Sequence, residues 1–300
     1  MIEFKNISKT FGDVKALDNI SGVVKEGMIF GLLGSNGAGK STLIRLLSGV
    51  MKTDDGEIFI DGLPVYDNPE AKSKLCFLSD TAYFFPNSTP VIMRDYYALI
   101  YPEFNKEEFD NLLNKIGLDA NRKIHTFSKG MKKQLSVLLG FCTGTKYLLC
   151  DETFDGLDPV IRQTVKSLFC SALTKRDFTV IIASHNLREL EDICDNIGLL
   201  HHGRFLLSEE LDTAKANICK IQCVLGDTDK EEQLIRELSP SNIQRTGALI
   251  TMTVKDQNEK AKQLLKDLNP VYYEILPLSL EEIFIAETEV TGYDIKNILS

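Results

Sequence analysis

Eight consecutive residues near the start of the chain have the types and spacing that bind phosphate. Gly34-Ser35-Asn36-Gly37-Ala38-Gly39-Lys40-Ser41 fits the pattern Gly-x-x-x-x-Gly-Lys-[Ser/Thr], and Thr42 follows it. Glycines let backbone N–H groups converge on phosphate oxygens, Lys40 brings positive charge to the β- and γ-phosphates, and Ser41 offers a hydroxyl to Mg²⁺. The alternative is a glycine-rich turn, but this loop lies between an apolar run and a helical pattern, as a phosphate site requires. It predicts a site for a nucleoside triphosphate and magnesium.

Two acidic residues follow a second apolar run. The run from Tyr147 to Cys150 predicts a buried strand, and Asp151 and Glu152 come at its carboxyl end, the edge where open α/β sheets bind ligands. A phosphate loop of this kind needs a distant carboxylate for Mg²⁺ and a base that orients the attacking water. We therefore predict Asp151 as a magnesium ligand and Glu152 as the catalytic base. An acidic pair after a strand is often only a solvated strand end, and it gains weight here from the loop.

A histidine follows a third apolar run. Thr179 to Ala183 predicts another buried strand, and His185 comes after Ser184 at its end. A lone histidine is usually structural. This one leaves a neighbouring strand on the side where the nucleotide should lie, so we expect it to contact the γ-phosphate.

The order of the elements that must position these residues predicts an α/β core with a parallel sheet. Met28 to Leu33 is expected to be a buried strand and Lys40 to Gly49 the helix after it, while Gly56 to Gly62 alternates as an antiparallel strand does. Many aromatic residues and helix-like stretches between Asp67 and Asn121 predict a helical insertion, which we place at about 67–140.

The pattern changes near Lys215. Strand-like segments then alternate with two helical ones, an order typical of a small split βαβ domain. Cys219 and Cys223 share one face of the first such strand, so they are expected to be core residues rather than metal ligands. We therefore expect two domains, an ATPase domain over 1–215 and a small α+β domain over 216–300.

These motifs together resemble those of ATP-binding cassette (ABC) ATPase subunits, over roughly Met1 to Leu211. The loop Gly34 to Ser41 is similar to the family's Walker A motif, and Leu148 to Glu152 is similar to its Walker B motif. The remaining correspondences are the signature Phe127-Ser128-Lys129-Gly130-Met131, the D-loop Gly156-Leu157-Asp158 and the switch histidine His185. Phe11 stands where the family stacks an aromatic ring on adenine. The resemblance implies a P-loop NTPase core with an antiparallel β subdomain and a helical insertion, and it implies ATP with Mg²⁺ as ligands and Lys40, Glu152 and His185 as catalytic residues.

The resemblance also implies a partner cassette. In the family two ATPase domains pair head to tail, and each ATP lies between the Walker A loop of one and the signature of the other. Ser128 and Gly130 would thus act in trans, because helix N-termini bind anions. Binding of ATP would close the dimer, and hydrolysis would open it.

The chain departs from the family pattern at three places. Asp80 stands where the family has a glutamine that helps to bind Mg²⁺. A carboxylate can still serve magnesium, directly or through water, although it adds negative charge, and we expect it to be a metal ligand. Lys129 replaces a signature glycine, and Thr153-Phe154 replaces a proline and a small residue.

The signature and the ending Pro277 to Phe284 are similar to those of bacterial exporter ATPases that serve a separate membrane protein. A membrane permease is therefore the second expected partner, with the aromatic insertion as a groove for one of its cytoplasmic helices. Simple packing of those aromatics within the insertion is the alternative.

Composition and charge narrow the function classes. A net charge of −9 disfavours a nucleic-acid partner. No window of the sequence is apolar enough for a membrane span, and the N-terminus does not have the pattern of a secretory signal. The seven cysteines are scattered, unlike those of a disulfide framework. We expect a cytoplasmic protein held on the inner face of the cell membrane by its membrane subunit. The alternatives are a soluble ABC ATPase acting on ribosomes or nucleic acid, and a regulatory cassette that hardly turns over.

Overall fold

The computed structural model describes residues 1–154, 156–255 and 257–290, and the chain divides into two compact units, Met1–Ser208 and Glu209–Ser300. The division lies a few residues before the domain boundary at 215 expected from the sequence. Among the described helices, none combines the length and the apolar character needed to cross a bilayer.

An antiparallel sheet forms one layer of the first unit. Its strands, in the order β2-β1-β4-β5, are β1 (Ile2–Phe11), β2 (Val14–Val24), β4 (Asp55–Ile60) and β5 (Leu63–Pro64). On β1, Ile2, Phe4 and Ile7 are buried in the core that this sheet shares with the next one. Pairing of β4 with β1 confirms the antiparallel strand predicted between Gly56 and Gly62.

A six-stranded sheet in the order β10-β9-β3-β8-β7-β6 forms the second layer. Its strands are β3 (Ile29–Leu33), β6 (Leu75–Leu78), β7 (Tyr147–Asp151), β8 (Thr179–Ser184), β9 (Asn196–His201) and β10 (Arg204–Glu210). Every residue of β3, β7 and β8 is buried, which explains their uninterrupted apolar sequences. These three strands pair in parallel, so their carboxyl ends lie at one edge of the sheet.

Helices of the first unit are α1 (Lys40–Leu47), α2 (Pro69–Ser73), α3 (Pro90–Ile100), α4 (Lys106–Lys115), α5 (Lys129–Phe141), α6 (Pro159–Leu173) and α7 (Leu187–Glu191), with a 3₁₀ turn at Ile124–Thr126. The side chains of Thr89, Asn105 and Ser128 accept N–H groups in the first turns of α3, α4 and α5, which is why these helices begin there. The segment expected to be a helical insertion also contains β6, which pairs with β7 in the parallel sheet. So short an apolar run cannot be told from a buried helix by its periodicity.

The second unit is an antiparallel sheet with helices. Its elements are α8 (Leu211–Asn217), β11 (Ile218–Val224), α9 (Thr228–Leu238), β12 (Asn242–Thr246), β13 (Leu249–Lys255), α10 (Asn258–Leu268), β14 (Tyr272–Pro277) and α11 (Leu280–Val290). The strand order β12-β13-β11-β14 is that of a split βαβ fold. Cys219 and Cys223 are buried in its core with Leu234 and Leu265 on the helices, as their spacing predicted.

Candidate functional site

The loop between β3 and α1 has a backbone that only glycine fits at two positions. Gly39 directly precedes α1 with φ 107°, and a Cβ atom there would lie 2.5 Å from the carbonyl oxygen of Ala16. A Cβ atom on Gly34 would lie 2.4 Å from the carbonyl oxygen of Leu200. The buried Ala38 accepts the N–H of Gly203 at 3.0 Å. The loop is therefore fixed against β2 and the end of β9.

Lys40, the first residue of α1, is buried although it is charged. Its Nζ donates to the carbonyl oxygens of Gly34 at 2.7 Å and Ser35 at 3.0 Å. These carbonyls hold the ammonium group against the loop, where it adds to the partial positive charge of the helix N-terminus. The arrangement suits a ligand with several negative oxygens.

Ser41 and Asp151 form a hydroxyl–carboxylate pair at the end of β7. The Oγ atom of Ser41 donates to Oδ1 of Asp151 at 2.8 Å, and Asp151 is almost fully buried. Burial raises the pKa of Asp151, and the nearby carboxylates of Glu152 and Asp80 act in the same direction, whereas Ser41 and Arg45 oppose the rise. A buried carboxylate that is costly to ionise is stabilised by a cation, so these donors fit Mg²⁺.

The protein offers few ligands to a metal ion at this site. Among the described residues, no three His, Cys, Asp or Glu side chains come together as metal ligands. Mg²⁺ bound to a nucleotide commonly uses one or two carboxylates together with phosphate oxygens and water. A hydroxyl and one carboxylate are thus a sufficient protein contribution.

Glu152 follows β7 with its backbone in the left-handed region, at φ 50°. Its N–H donates to the carbonyl oxygen of Ala183 on β8 at 2.9 Å, and its own carbonyl oxygen accepts from Nζ of Lys133 at 2.6 Å. Its Oε1 lies 3.5 Å from Nδ1 of His185, so the carboxylate and the imidazole predicted from two separate strands lie side by side.

A cavity of about 270 Å³ lies in front of the loop. The predicted residues lining it are Asn36, Gly37, Gly39, Lys40, Ser41, Thr42 and Glu152. Val14, Lys15, Ala16 and His202 line it as well, and sequence reasoning missed them. They come from β2 and from the turn after β9, and no local motif marks them, because only the packing of the two sheets brings them to the loop.

Other predicted residues are not among the described residues that line the cavity. Phe11 is half exposed at the end of β1, with Nζ of Lys9 5.7 Å from its ring centroid. Ser128 caps α5 by accepting the N–H of Met131 at 3.2 Å, and Gly130 lies in the same turn. Asp80 accepts a hydrogen bond from Lys133 at 3.0 Å, so a lysine engages the carboxylate that we predict as a metal ligand. The roles of these residues stay predictions.

The fold and this site define the class of protein: a P-loop nucleotide-binding protein, with a phosphate loop between a parallel strand and a helix and acidic residues at the next strand ends. Comparison with known proteins narrows the class. Residues 17–155 match the family model described as ABC transporter.

Two curated relatives are similar over most of the chain. The chain is 33% identical to the ABC transporter ATP-binding protein YtrB of Bacillus subtilis over 287 residues, which covers 96% of the chain and 98% of YtrB. It is 31% identical to the bacitracin transport ATP-binding protein BcrA of Bacillus licheniformis, over 79% of each chain. A solved ATP-binding subunit of an ABC transporter is 27% identical with a TM-score of 0.66, over 72% of this chain and 92% of that one. The chain belongs to the ATP-binding subunits of ABC transporters and is an ABC-type ATPase.

Proposed function

We propose that the chain hydrolyses ATP as one half of a cassette dimer and thereby powers export through a separate membrane subunit. The observation that carries this proposal is the convergence of Lys40, Ser41, Asp151, Glu152 and His185 at the carboxyl edge of one parallel sheet. Binding alone needs only the loop. A carboxylate beside an imidazole at the strand ends supports turnover as well.

Each of these site residues has a defined task in this proposal. The loop amides and Lys40 bind and orient the phosphates, and Ser41 and Asp151 hold Mg²⁺, which supplies positive charge to the phosphate oxygens when it is bound. Glu152 orients the attacking water and accepts its proton, and His185 contacts the γ-phosphate from β8. The positions of Asp151, Glu152 and His185 at the ends of neighbouring parallel strands support this assignment of tasks.

The site needs a second cassette because the signature is not among the described lining of the cavity. Ser128 and Lys129 are exposed at the N-terminus of the 13-residue helix α5. The first turn of α5, residues 129–132, has no acidic side chain, although helix N-termini normally favour one. An exposed helix start without an acidic side chain and with an added lysine suits an anion from another molecule. We propose that this anion is the γ-phosphate of the partner's ATP.

An apolar patch on the helical part of the first unit supports a membrane partner. Tyr83 is 74% exposed and Leu99 86%, and Ile92 is also exposed. Phe85 lies between the aromatic rings of Tyr83 and Tyr96, with centroids 6.0 and 4.6 Å away. Aromatic side chains grouped on a surface are typical of protein–protein contacts. We propose that this patch receives a cytoplasmic helix of the membrane subunit, which would hold the chain on the inner face of the membrane.

Export is supported by the Ser128 to Met131 signature and by the ending Pro277 to Phe284, and a role in transport by the similarity to the bacitracin transport ATP-binding protein BcrA. Purifying the tagged chain from detergent-solubilised membranes tests the proposal. A multi-span membrane protein should co-purify, and a Tyr83→Ala/Tyr96→Ala variant should lose it while still hydrolysing ATP. Co-purification of ribosomes or nucleic acid instead would contradict the proposal.

A further inference from the structure

One lysine outside the predicted site connects three of its parts. Lys133 lies in the second turn of α5, and its side chain is only 5% exposed. Its Nζ donates to the carbonyl oxygen of Glu152 at 2.6 Å and to Oδ1 of Asp80 at 3.0 Å. A lysine is rarely buried to this degree unless its charge is paired. Here the two acceptors are the peptide of the catalytic base and the carboxylate that follows β6.

The backbone of Glu152, whose carbonyl oxygen Lys133 contacts, has an unusual conformation. Glu152 has φ 50°, which a side chain with a Cβ atom adopts only where its surroundings hold it. Two bonds hold it here: its N–H is fixed by Ala183 on β8, and its carbonyl oxygen by Lys133 on α5. The direction of the Glu152 side chain follows from this backbone conformation. Loss of either bond would let the peptide relax and turn the carboxylate away from its place beside His185.

We infer that Lys133 is a positioning residue for hydrolysis. Its ammonium group holds the carbonyl oxygen of Glu152, and the carboxylate of Asp80 holds that ammonium group in place. The inference rests on the proposed function in taking Glu152 as the base. It also gives Asp80 a role other than metal binding, since a neutral amide at that position could not neutralise a buried ammonium. The same lysine belongs to the helix that Ser128 begins, so the catalytic carboxylate is positioned by the helix that carries the signature.

The test compares Lys133→Met with Lys115→Met in the full-length protein. Methionine retains the length of the lysine side chain without its charge. Lys115 is exposed at the end of α4, and among the described residues its side chain makes no hydrogen bond or ion pair. In Lys133→Met, kcat should fall by roughly 10- to 100-fold, as expected for a misplaced catalytic group, while affinity for a fluorescent ATP analogue changes by less than about threefold. Equal kcat values in the two variants would overturn the inference.

Coupling with Asp80 separates positioning from metal binding. If Asp80 acts through Lys133, adding Asp80→Ala to Lys133→Met should cost no further kcat, and Asp80→Ala should leave the Mg²⁺ concentration for half-maximal activity unchanged. Additive losses, or a shift in Mg²⁺ requirement, would show that Asp80 acts on the metal by itself. Lys133→Arg, which keeps the charge and the donors, should retain more activity than Lys133→Met. Lys133→Gln, which removes the charge from a polar side chain, replaces Lys133→Met in the comparison if that variant does not fold.

Hydrogen–deuterium exchange does not depend on ATP hydrolysis, so it tests this inference separately from the proposed function. The amide of Glu152 should exchange hydrogen for deuterium faster in Lys133→Met than in the wild type, since the residue has lost one of the two hydrogen bonds that hold its backbone. Lys115→Met should exchange at the wild-type rate. Absence of ATP hydrolysis by the wild type would contradict the proposed function, whereas unchanged exchange at Glu152 in Lys133→Met would contradict the inference.

Discussion

The hydroxyl of Ser41 donates to the carboxylate of Asp151 at 2.8 Å, although 110 residues separate the two in the chain. Ser41 belongs to the helix after β3, and Asp151 ends β7. Because β8 pairs in parallel with both strands, their carboxyl ends are held at one edge. The two groups that we propose as magnesium ligands are therefore brought together by the sheet and not by either motif alone.

Replacing Ser41 by alanine tests this pair. Ser41→Ala removes one Mg²⁺ donor and a hydrogen bond to a buried carboxylate, so affinity for ATP measured in Mg²⁺ should fall by about tenfold, or about 1.4 kcal/mol. Affinity measured in EDTA should change much less. Isothermal titration in the two buffers makes the comparison, with Ser73→Ala at the exposed end of α2 as the control. Equal losses in both buffers would show that Ser41 does not act through a metal.

Replacing Glu152 by glutamine tests the assigned base. Glu152→Gln keeps the shape of the side chain but cannot accept a proton, so hydrolysis should fall by about 10²- to 10⁴-fold while ATP still binds. The variant should accumulate as an ATP-bound dimer, visible by light scattering after size exclusion. Glu70→Gln, an exposed change of the same kind on α2, is the control. Wild-type turnover in Glu152→Gln would remove Glu152 from this role.

The signature is tested by adding a charge to it. A Cβ atom on Gly130 would meet its nearest neighbour, the carbonyl oxygen of Gly156, at an ordinary 3.6 Å. Gly130→Asp should therefore fold, and a negative charge in the first turn favours the helix. It should nevertheless abolish hydrolysis, because the carboxylate repels the γ-phosphate of the partner's ATP, and leave nucleotide binding by the monomer unchanged.

A mixing experiment then shows on which subunit Gly130 acts. Lys40→Ala and Gly130→Asp should each be inactive, and their mixture should regain activity, with about one working site in each mixed dimer. ATPase activity is measured as the ratio of the two chains is varied. A mixture as inactive as its components would contradict action in trans.

A third carboxylate controls stability rather than chemistry. Asp61, in the turn between β4 and β5, accepts hydrogen bonds from the Tyr147 hydroxyl at 2.6 Å and from Lys146 at 3.1 Å, and it pairs with the amino group of Met1. Burial by itself would raise the pKa of Asp61, but the hydrogen bonds from Met1, Tyr147 and Lys146 outweigh it and hold the pKa well below its usual value.

The sign of the pH dependence follows from this lowered pKa. Because Asp61 is more acidic in the folded chain, its contribution to the free energy of unfolding is complete above pH about 5 and is lost as the pH falls below about 4. Asp61→Asn should lower the free energy of unfolding by about 1–2 kcal/mol at pH 7, with a smaller difference at pH 3. Urea denaturation at both pH values measures it, with Asp13→Asn in an exposed turn as the control. A constant difference at both pH values would contradict the assignment.

Local patterns were sufficient for much of the site. The phosphate loop is a continuous run with its own backbone requirement at Gly39. Asp151 ends a buried strand, and Glu152 and His185 directly follow buried strands, whose apolar sequences are recognisable. The cysteines of β11 were placed in the core because side chains alternate along a strand. The positions of these residues were predictable because each depends on residues that are neighbours in sequence.

Where the sequence was insufficient, the deciding contacts are long-range. Strand β6 is four residues long, and only its pairing with β7 makes it part of the sheet. His202 reaches the cavity because β9 pairs with β3.

In the sequence, nothing distinguishes Lys133 from the other lysines of α5. It is 53 residues from Asp80 and 19 from Glu152, and no spacing rule links them. The sequence by itself determined where the loop and the candidate catalytic groups lie, since loop geometry and strand ends are encoded locally. The tertiary structure alone decided how Glu152 is held, because the packing of α5 against the strand ends buries the charge of Lys133 beside the Glu152 carbonyl oxygen and the Asp80 carboxylate.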